Sequence, residues 1–189
     1  MKRIAIFASG EGTNAENIVR YFSSPDRDAE VSLIVTNRAD APVIGRAQRL
    51  GVECCLLPRD DFAGGEKVTE LLESRRIDIV VLAGFLLMIP PALTERYRGR
   101  IVNIHPALLP RHGGKGMYGM RVHEAVLTAG DTETGITIHH VNERYDDGAI
   151  IFQTSVPVEP TDTAPDIARK VRRLEELHFA PVIEQTFCK

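Results

Sequence analysis

Ile101-Val-Asn-Ile-His-Pro-Ala-Leu-Leu-Pro110 begins as a strand and ends abruptly. Ile101, Val102 and Ile104 are apolar and β-branched, which suits a buried pleat. Side chains alternate along a strand, so Asn103 and His105 share one face. Pro106 lacks a backbone N–H and stops the ladder. An amide and an imidazole at the mouth of a buried strand are costly unless polar groups meet them. Two readings fit. The pair is either a set of fixed donors for a developing oxyanion, or a core Asn–His pair satisfied by neighbouring backbone.

Upstream of this stretch, apolar strands alternate with amphipathic helices. Strands are expected at Arg3–Ala8, Val31–Thr36, Glu53–Leu57 and Ile77–Leu82. Helices are expected at Thr13 to about Phe22, Pro42–Leu50, Gly65–Arg75 and Pro91–Tyr97. Thr13 with Glu16 fits a capping box, and Gly51 follows a helix end. Downstream, Pro106–Gly119 is a long glycine-bearing loop, and Met120–Thr128 reads as a helix. Gly135–Val141 and Ala149–Val156 form an antiparallel hairpin around Asn142–Gly148, and a last helix runs to about Phe187. The pattern predicts an α/β, Rossmann-like fold: a mostly parallel twisted sheet, helices on both faces, and an antiparallel C-terminal hairpin.

The 189 residues are 43% hydrophobic and 26% charged, an ordinary globular balance expected to form one domain. A net charge of −3 offers no basic face for nucleic acid. No apolar run approaches the ~20 residues of a membrane span. The N-terminal apolar run is only a strand's length before a glycine turn, unlike a secretory leader. Adjacent Cys54 and Cys55 would point to opposite strand faces, which fits neither a disulfide framework nor a metal pair. A reduced, cytoplasmic compartment is expected.

Ser9-Gly-Glu-Gly-Thr-Asn14 joins the first strand to a helix N-terminus, where backbone N–H groups and the helix dipole favour an anion. The overlap with GxGxxG is weak, and Asn37 stands where a dinucleotide site would carry an acid. A phosphate monoester or a purely structural turn remains. In the hairpin loop, a carboxylate of Asp146 or Asp147 could hold His105 cationic and relay a proton. An ordinary Asp-Gly turn is the alternative. The histidines 105, 112, 123 and 139 show no HExxH motif, and no metal is expected. Gly84 permits close backbone approach, and Phe85 to Ile89 either line a pocket for a flat heteroaromatic group or cover the core.

Ala8-Ser-Gly-Glu-Gly-Thr-Asn14, Val80-Val-Leu-Ala-Gly-Phe85, Asn103-Ile-His-Pro-Ala-Leu-Leu-Pro110 and Tyr145-Asp-Asp-Gly148 occur in that order. Together they resemble the phosphoribosylglycinamide formyltransferase family of the folate-dependent formyltransferases, across nearly the whole chain. The resemblance implies transfer of a formyl group from 10-formyltetrahydrofolate, the co-substrate, to the amine of glycinamide ribonucleotide in purine biosynthesis. It implies Asn103, His105 and Asp146 as the catalytic set, with His105 cationic. It also implies phosphate and ribonucleotide binding by Gly10, Glu11, Gly12, Thr13, Asn14 and Glu175. Leu86, Leu87, Met88, Ile89, Val141 and Tyr145 would enclose the folate. His139 matches a histidine near the family's site.

The expected domain spans residues 1–189, about 1–100 being the phosphate-binding half and about 101–189 the catalytic and folate-binding half. Monomer and homodimer both fit, with small-molecule partners only. Asp147 replaces the usual glycine after the catalytic Asp, and Leu87 stands where some members carry a basic residue. The Gly113–Gly119 run is expected to be a flexible lid whose Lys115 reaches a phosphate or the folate glutamate tail. Three rival readings stay open. Methionyl-tRNA formyltransferase carries an additional RNA-binding domain. Formyltetrahydrofolate hydrolase delivers the formyl group to water. A phosphate-binding module would not turn over.

Overall fold

The computed structural model describes residues 1–188. Seven strands form one sheet in the order β3-β2-β1-β4-β5-β6-β7. They are β1 (Lys2–Phe7), β2 (Ala29–Thr36), β3 (Glu53–Leu56), β4 (Ile79–Leu82), β5 (Ile101–His105), β6 (Glu133–His140) and β7 (Ile150–Pro157). The first five pair in parallel, whereas β6 runs antiparallel to both β5 and β7. The chain therefore reverses direction at β5 as well as at the expected hairpin. The strand order switches between β1 and β4, and at such a point the loops diverge and leave a crevice beyond the strand C-termini.

Helices cover both faces. One core joins Ile4, Ile6, Ile34, Val81, Val102 and Ile138 to α1 (Thr13–Phe22), α2 (Val43–Leu50), α6 (Met120–Ala129) and α7 (Ala164–Phe187). The other joins Phe7, Val35, Val80 and Ile101 to α3 (Arg59–Ala63), α4 (Glu66–Ser74) and α5 (Pro91–Arg96). Cys54 packs with the first core and Cys55 with the second, as strand alternation requires. No helix among the described residues is long and apolar enough to cross a membrane.

Two local expectations need correction. Helix α1 has no Thr13–Glu16 capping box; Gly12 caps it at φ 73° without a side-chain bond. Glu16 is drawn instead to Arg20 and to Arg46 of α2. A full capping box occurs at α7, where Thr163 and Asp166 bond reciprocally. The short helix α3 was not expected; it follows Pro58 and buries Phe62.

Beyond β5, the second face loses its helices, and polar side chains take over the row that Ile101 begins. There the loop after His105 is fastened by one hydroxyl. Buried Thr137 donates to the Ala107 carbonyl at 2.7 Å and accepts from Leu109 N–H at 3.0 Å and from Gln153 Nε2 at 2.8 Å. A Thr137→Val substitution keeps the shape but strands these partners. Its unfolding free energy, measured in denaturant, should fall by about 2 kcal/mol; an unchanged value would show that the hydroxyl does not fasten the loop.

Candidate active site

Strand register assembles the polar cluster. Phe7, Leu82, Asn103 and His139 face one another across β1, β4, β5 and β6. Two strand spacings, about 10 Å, separate Asn103 from the strand that leads into the Gly10–Asn14 turn. Asn103 Nδ2 donates to His139 Nε2 at 3.1 Å, and His139 Nδ1–H donates to the His140 carbonyl at 2.9 Å. The second Nδ2 hydrogen of Asn103 remains for a ligand. His140 points to the other face, edge-on to Phe187.

His105 is 3% exposed. Its Nε2–H donates to the His112 carbonyl at 2.8 Å, and its Nδ1 lies 3.5 Å from Asp146 Oδ2. Asp146 Oδ1 is 3.7 Å from His139 Nε2, and Gly114 N–H donates to Asp146 Oδ2 at 2.8 Å. Asp146 holds this position with φ 52°, left-handed backbone that Asp tolerates better than most residues. Asp147 faces solvent beside Arg144 at 3.4 Å. Gly148 is required on steric grounds, since a Cβ there would lie 1.7 Å from the His140 carbonyl oxygen.

Burial lowers the His105 pKa, and this outweighs the opposing pull of the Asp146 carboxylate and the His112 carbonyl. Burial thus weighs against the cationic state expected for His105, while the two acceptors at its ring nitrogens, the His112 carbonyl and the Asp146 carboxylate, weigh for it. For Asp146, burial raises the pKa, but His139, His105 and the Gly114 N–H together hold it below the usual carboxylate range.

The Gly10–Asn14 turn is braced from α2. Val43 N–H donates to the Gly10 carbonyl at 3.1 Å and Arg46 Nε to the Glu11 carbonyl at 2.6 Å. Glu11 is exposed, and Gly10 has no atom where a Cβ would stand, so the turn's outer side is open. Asn14 Nδ2 donates to Glu175 Oε2 at 2.9 Å, joining a residue of the first half to one of the second. Burial raises the Glu175 pKa, against the Asn14 hydrogen bond.

The apolar loop after β4 alternates. Leu86 and Met88 are exposed, Leu87 packs on the second core with Val141, and Ile89 is buried. Phe85 packs against Phe7 and Phe62 with ring centroids 5.2 and 5.1 Å apart. Tyr145 and Lys115 are exposed at the rim. The Gly-rich loop meets the site through the Gly114 backbone rather than through Lys115.

Ser9 was not singled out as a site residue. Its buried hydroxyl donates to Asn37 Oδ1 at 2.6 Å and accepts from Leu86 N–H at 2.9 Å, tying the anion turn to the apolar loop. Asn37 at the end of β2 was the available signal. His112 and Asp131 also belong to the surroundings of His105, and no local motif marks their pairing.

The pKa directions fix two expectations. Asp146→Asn removes the anion that opposes burial, so His105 should titrate at still lower pH by NMR; an unchanged or higher value would contradict the balance. His105, His123 and His140 are all depressed by burial, and Asp146 is lowered too. Such groups stabilise the fold fully above their unfolded pKa values and progressively less as pH falls toward the folded ones. Denaturant midpoints should therefore drop between about pH 7 and 5, where unfolded histidine gains its proton; a rise would reverse the sign.

The formyl transferase family matches residues 2–183. Phosphoribosylglycinamide formyltransferase of Haemophilus influenzae is 34% identical over 99% of this chain and 87% of its own length. Phosphoribosylglycinamide formyltransferase of Bacillus subtilis is 33% identical over 98% and 94%. The crystal structure of phosphoribosylglycinamide formyltransferase from Bacillus halodurans matches with a TM-score of 0.90 and 36% identity, over 100% of this chain and 96% of that one. With a family match along almost its full length and relatives of nearly its own size, this chain belongs to the phosphoribosylglycinamide formyltransferases.

Proposed function

We propose that the chain transfers a formyl group from 10-formyltetrahydrofolate to the primary amine of glycinamide ribonucleotide, with Asn103, His105 and Asp146 as the catalytic set. The observation that carries this is their convergence, with His139, beside the switch-point crevice. The backbone of Gly10, Glu11, Gly12, Thr13 and Asn14 receives the substrate phosphate, and Glu175 holds the ribonucleotide. Leu86, Leu87, Met88, Ile89, Val141 and Tyr145 enclose the folate. The folate supplies an activated formyl group.

Direct attack forms a C–N bond between the amine and the formyl carbon, and the carbonyl electron pair moves onto oxygen. The free Asn103 N–H is placed to meet that oxyanion. Asp146, whose carboxylate lies 3.5 Å from His105 Nδ1, takes up through water the proton the amine loses. His105, drawn toward its imidazolium form by Asp146, adds positive charge beside the oxyanion. Breaking the bond to folate N10 returns the electron pair, and the same proton goes to N10. No covalent attachment to the enzyme is needed. Asp147 is too far into solvent to share this work, and Lys115 is left as a rim cation for the glutamate tail.

The decisive assay follows formyl transfer with both substrates, in wild type and in His105→Ala. Turnover should require the ribonucleotide, and the variant should lose about 10²- to 10⁴-fold in kcat. Release of formate without ribonucleotide would favour a hydrolase, and ligand binding without turnover a binding module.

A further inference from the structure

The Gly10–Asn14 turn can present N–H groups to an anion only if its carbonyls face elsewhere. A trans peptide is planar, so the carbonyl of one residue and the N–H of the next point in opposite directions. Whatever holds the carbonyl therefore aims the N–H. Helix α2 holds two carbonyls in succession. Val43 N–H donates to the Gly10 carbonyl at 3.1 Å, which turns the Glu11 N–H away from α2. Arg46 Nε donates to the Glu11 carbonyl at 2.6 Å, which turns the Gly12 N–H the same way. Among the described residues, no backbone carbonyl accepts from either N–H. Successive N–H groups turned to one side make a concavity suited to an anion.

The two pins differ in kind. The first is a main-chain bond that every residue except proline can make at position 43. The second depends on one side chain. Arg46 Nη1 pairs with Glu16 Oε2 of α1, which fixes the guanidinium plane while Nε reaches the carbonyl. The Arg46 side chain is only 25% exposed, so water competes weakly for these contacts. Glu11 lies in the turn itself, where its charge would repel a phosphate. Arg46 Nη2 stands 3.9 Å from that carboxylate and offsets it. Arg20 pairs with Glu16 from the outer side at 2.8 Å and makes no bond to the turn.

We propose that Arg46 is a positioning residue for the phosphate seat: anchored on Glu16, its guanidinium holds the Glu11 carbonyl and so aims the Gly12 N–H at the bound phosphate, without touching the ligand. The inference deepens the reading of Gly10–Asn14 as the phosphate seat and rests on it, but phosphate binding is measurable without formyl transfer.

The test titrates the free protein with ribose 5-phosphate, a phosphate monoester, and with ribose, followed by ¹H–¹⁵N NMR. In wild type, the phosphate ester should shift the Glu11 and Gly12 amides and ribose should not. Arg46→Met should weaken ribose 5-phosphate about tenfold, the scale on which supporting contacts act. Arg20→Met removes the same charge from Glu16 but leaves the carbonyl pinned, and its affinity should stay within about twofold of wild type. In formyl transfer, Arg46→Met should raise KM for the ribonucleotide about tenfold and leave kcat and KM for the folate within about twofold, the pattern of lost uniform binding. A general structural defect would move the folate constant as well. If Arg46→Met does not fold, Arg46→Lys tests the same pin: it keeps the charge beside Glu16 but has one nitrogen where arginine uses two, and affinity should still fall several-fold. An Arg46 variant with wild-type affinity overturns the proposal, as does an equal loss in Arg20→Met. Wild-type amides that ignore the phosphate ester would defeat the phosphate seat and the proposal together. Absence of formyl transfer in wild type would defeat the catalytic reading alone, because the titration would still decide Arg46.

Discussion

Everything in the site depends on β6 lying antiparallel against β5. That pairing sets Asn103 opposite His139 and His105 opposite Thr137, on the face that α3, α4 and α5 leave bare. A one-residue slip of β6 would turn His139 and Thr137 into the aliphatic core on the other face. A buried imidazole and hydroxyl would then meet Ile and Val, at a cost to the sheet. The Thr137 hydroxyl guards this register from the side, because it ties the loop after β5 to β6 and, through Gln153, to β7.

The electrostatics follow from burial more than from charge pairing. Asp146 is close enough to His105 to favour an imidazolium, and withdrawal from water opposes it. The Gly114 N–H, donated from the glycine-rich loop, holds the Asp146 carboxylate in place beside the ring. Catalytic readiness of this kind rests on neutral hydrogen bonds of ordinary length, set by backbone carbonyls and N–H groups.

Features encoded within a few residues were legible in the sequence. The Asn103-Ile-His105-Pro106 strand end, the Gly10–Gly12 turn and the split between Cys54 and Cys55 all follow from alternation and chain stiffness. Features decided by distant partners were not. Glu16 has the spacing of a capping box, but Arg46 arrives from α2 and takes its carboxylate. The charge of His105 depends on how much of the chain closes over it. Ser9, Asn37 and Leu86 converge from three separate loops, and His112 meets Asp131 only because α6 returns the chain to the same edge. Dividing the chain at about residue 100 also obscures the site, since Asn14 bonds Glu175 and the apolar loop after β4 packs with Val141.

The most direct single measurement is a crystal structure of the protein with glycinamide ribonucleotide and a non-reactive folate analogue that carries the formyl carbon. The phosphate is expected on the backbone N–H groups between Gly10 and Asn14, with the formyl oxygen in hydrogen-bond reach of Asn103 Nδ2 and the amine on the Asp146–His105 side. A phosphate bound elsewhere, or a formyl carbon remote from Asn103 and His105, would contradict this placement and return the polar row on β5 and β6 to a structural role.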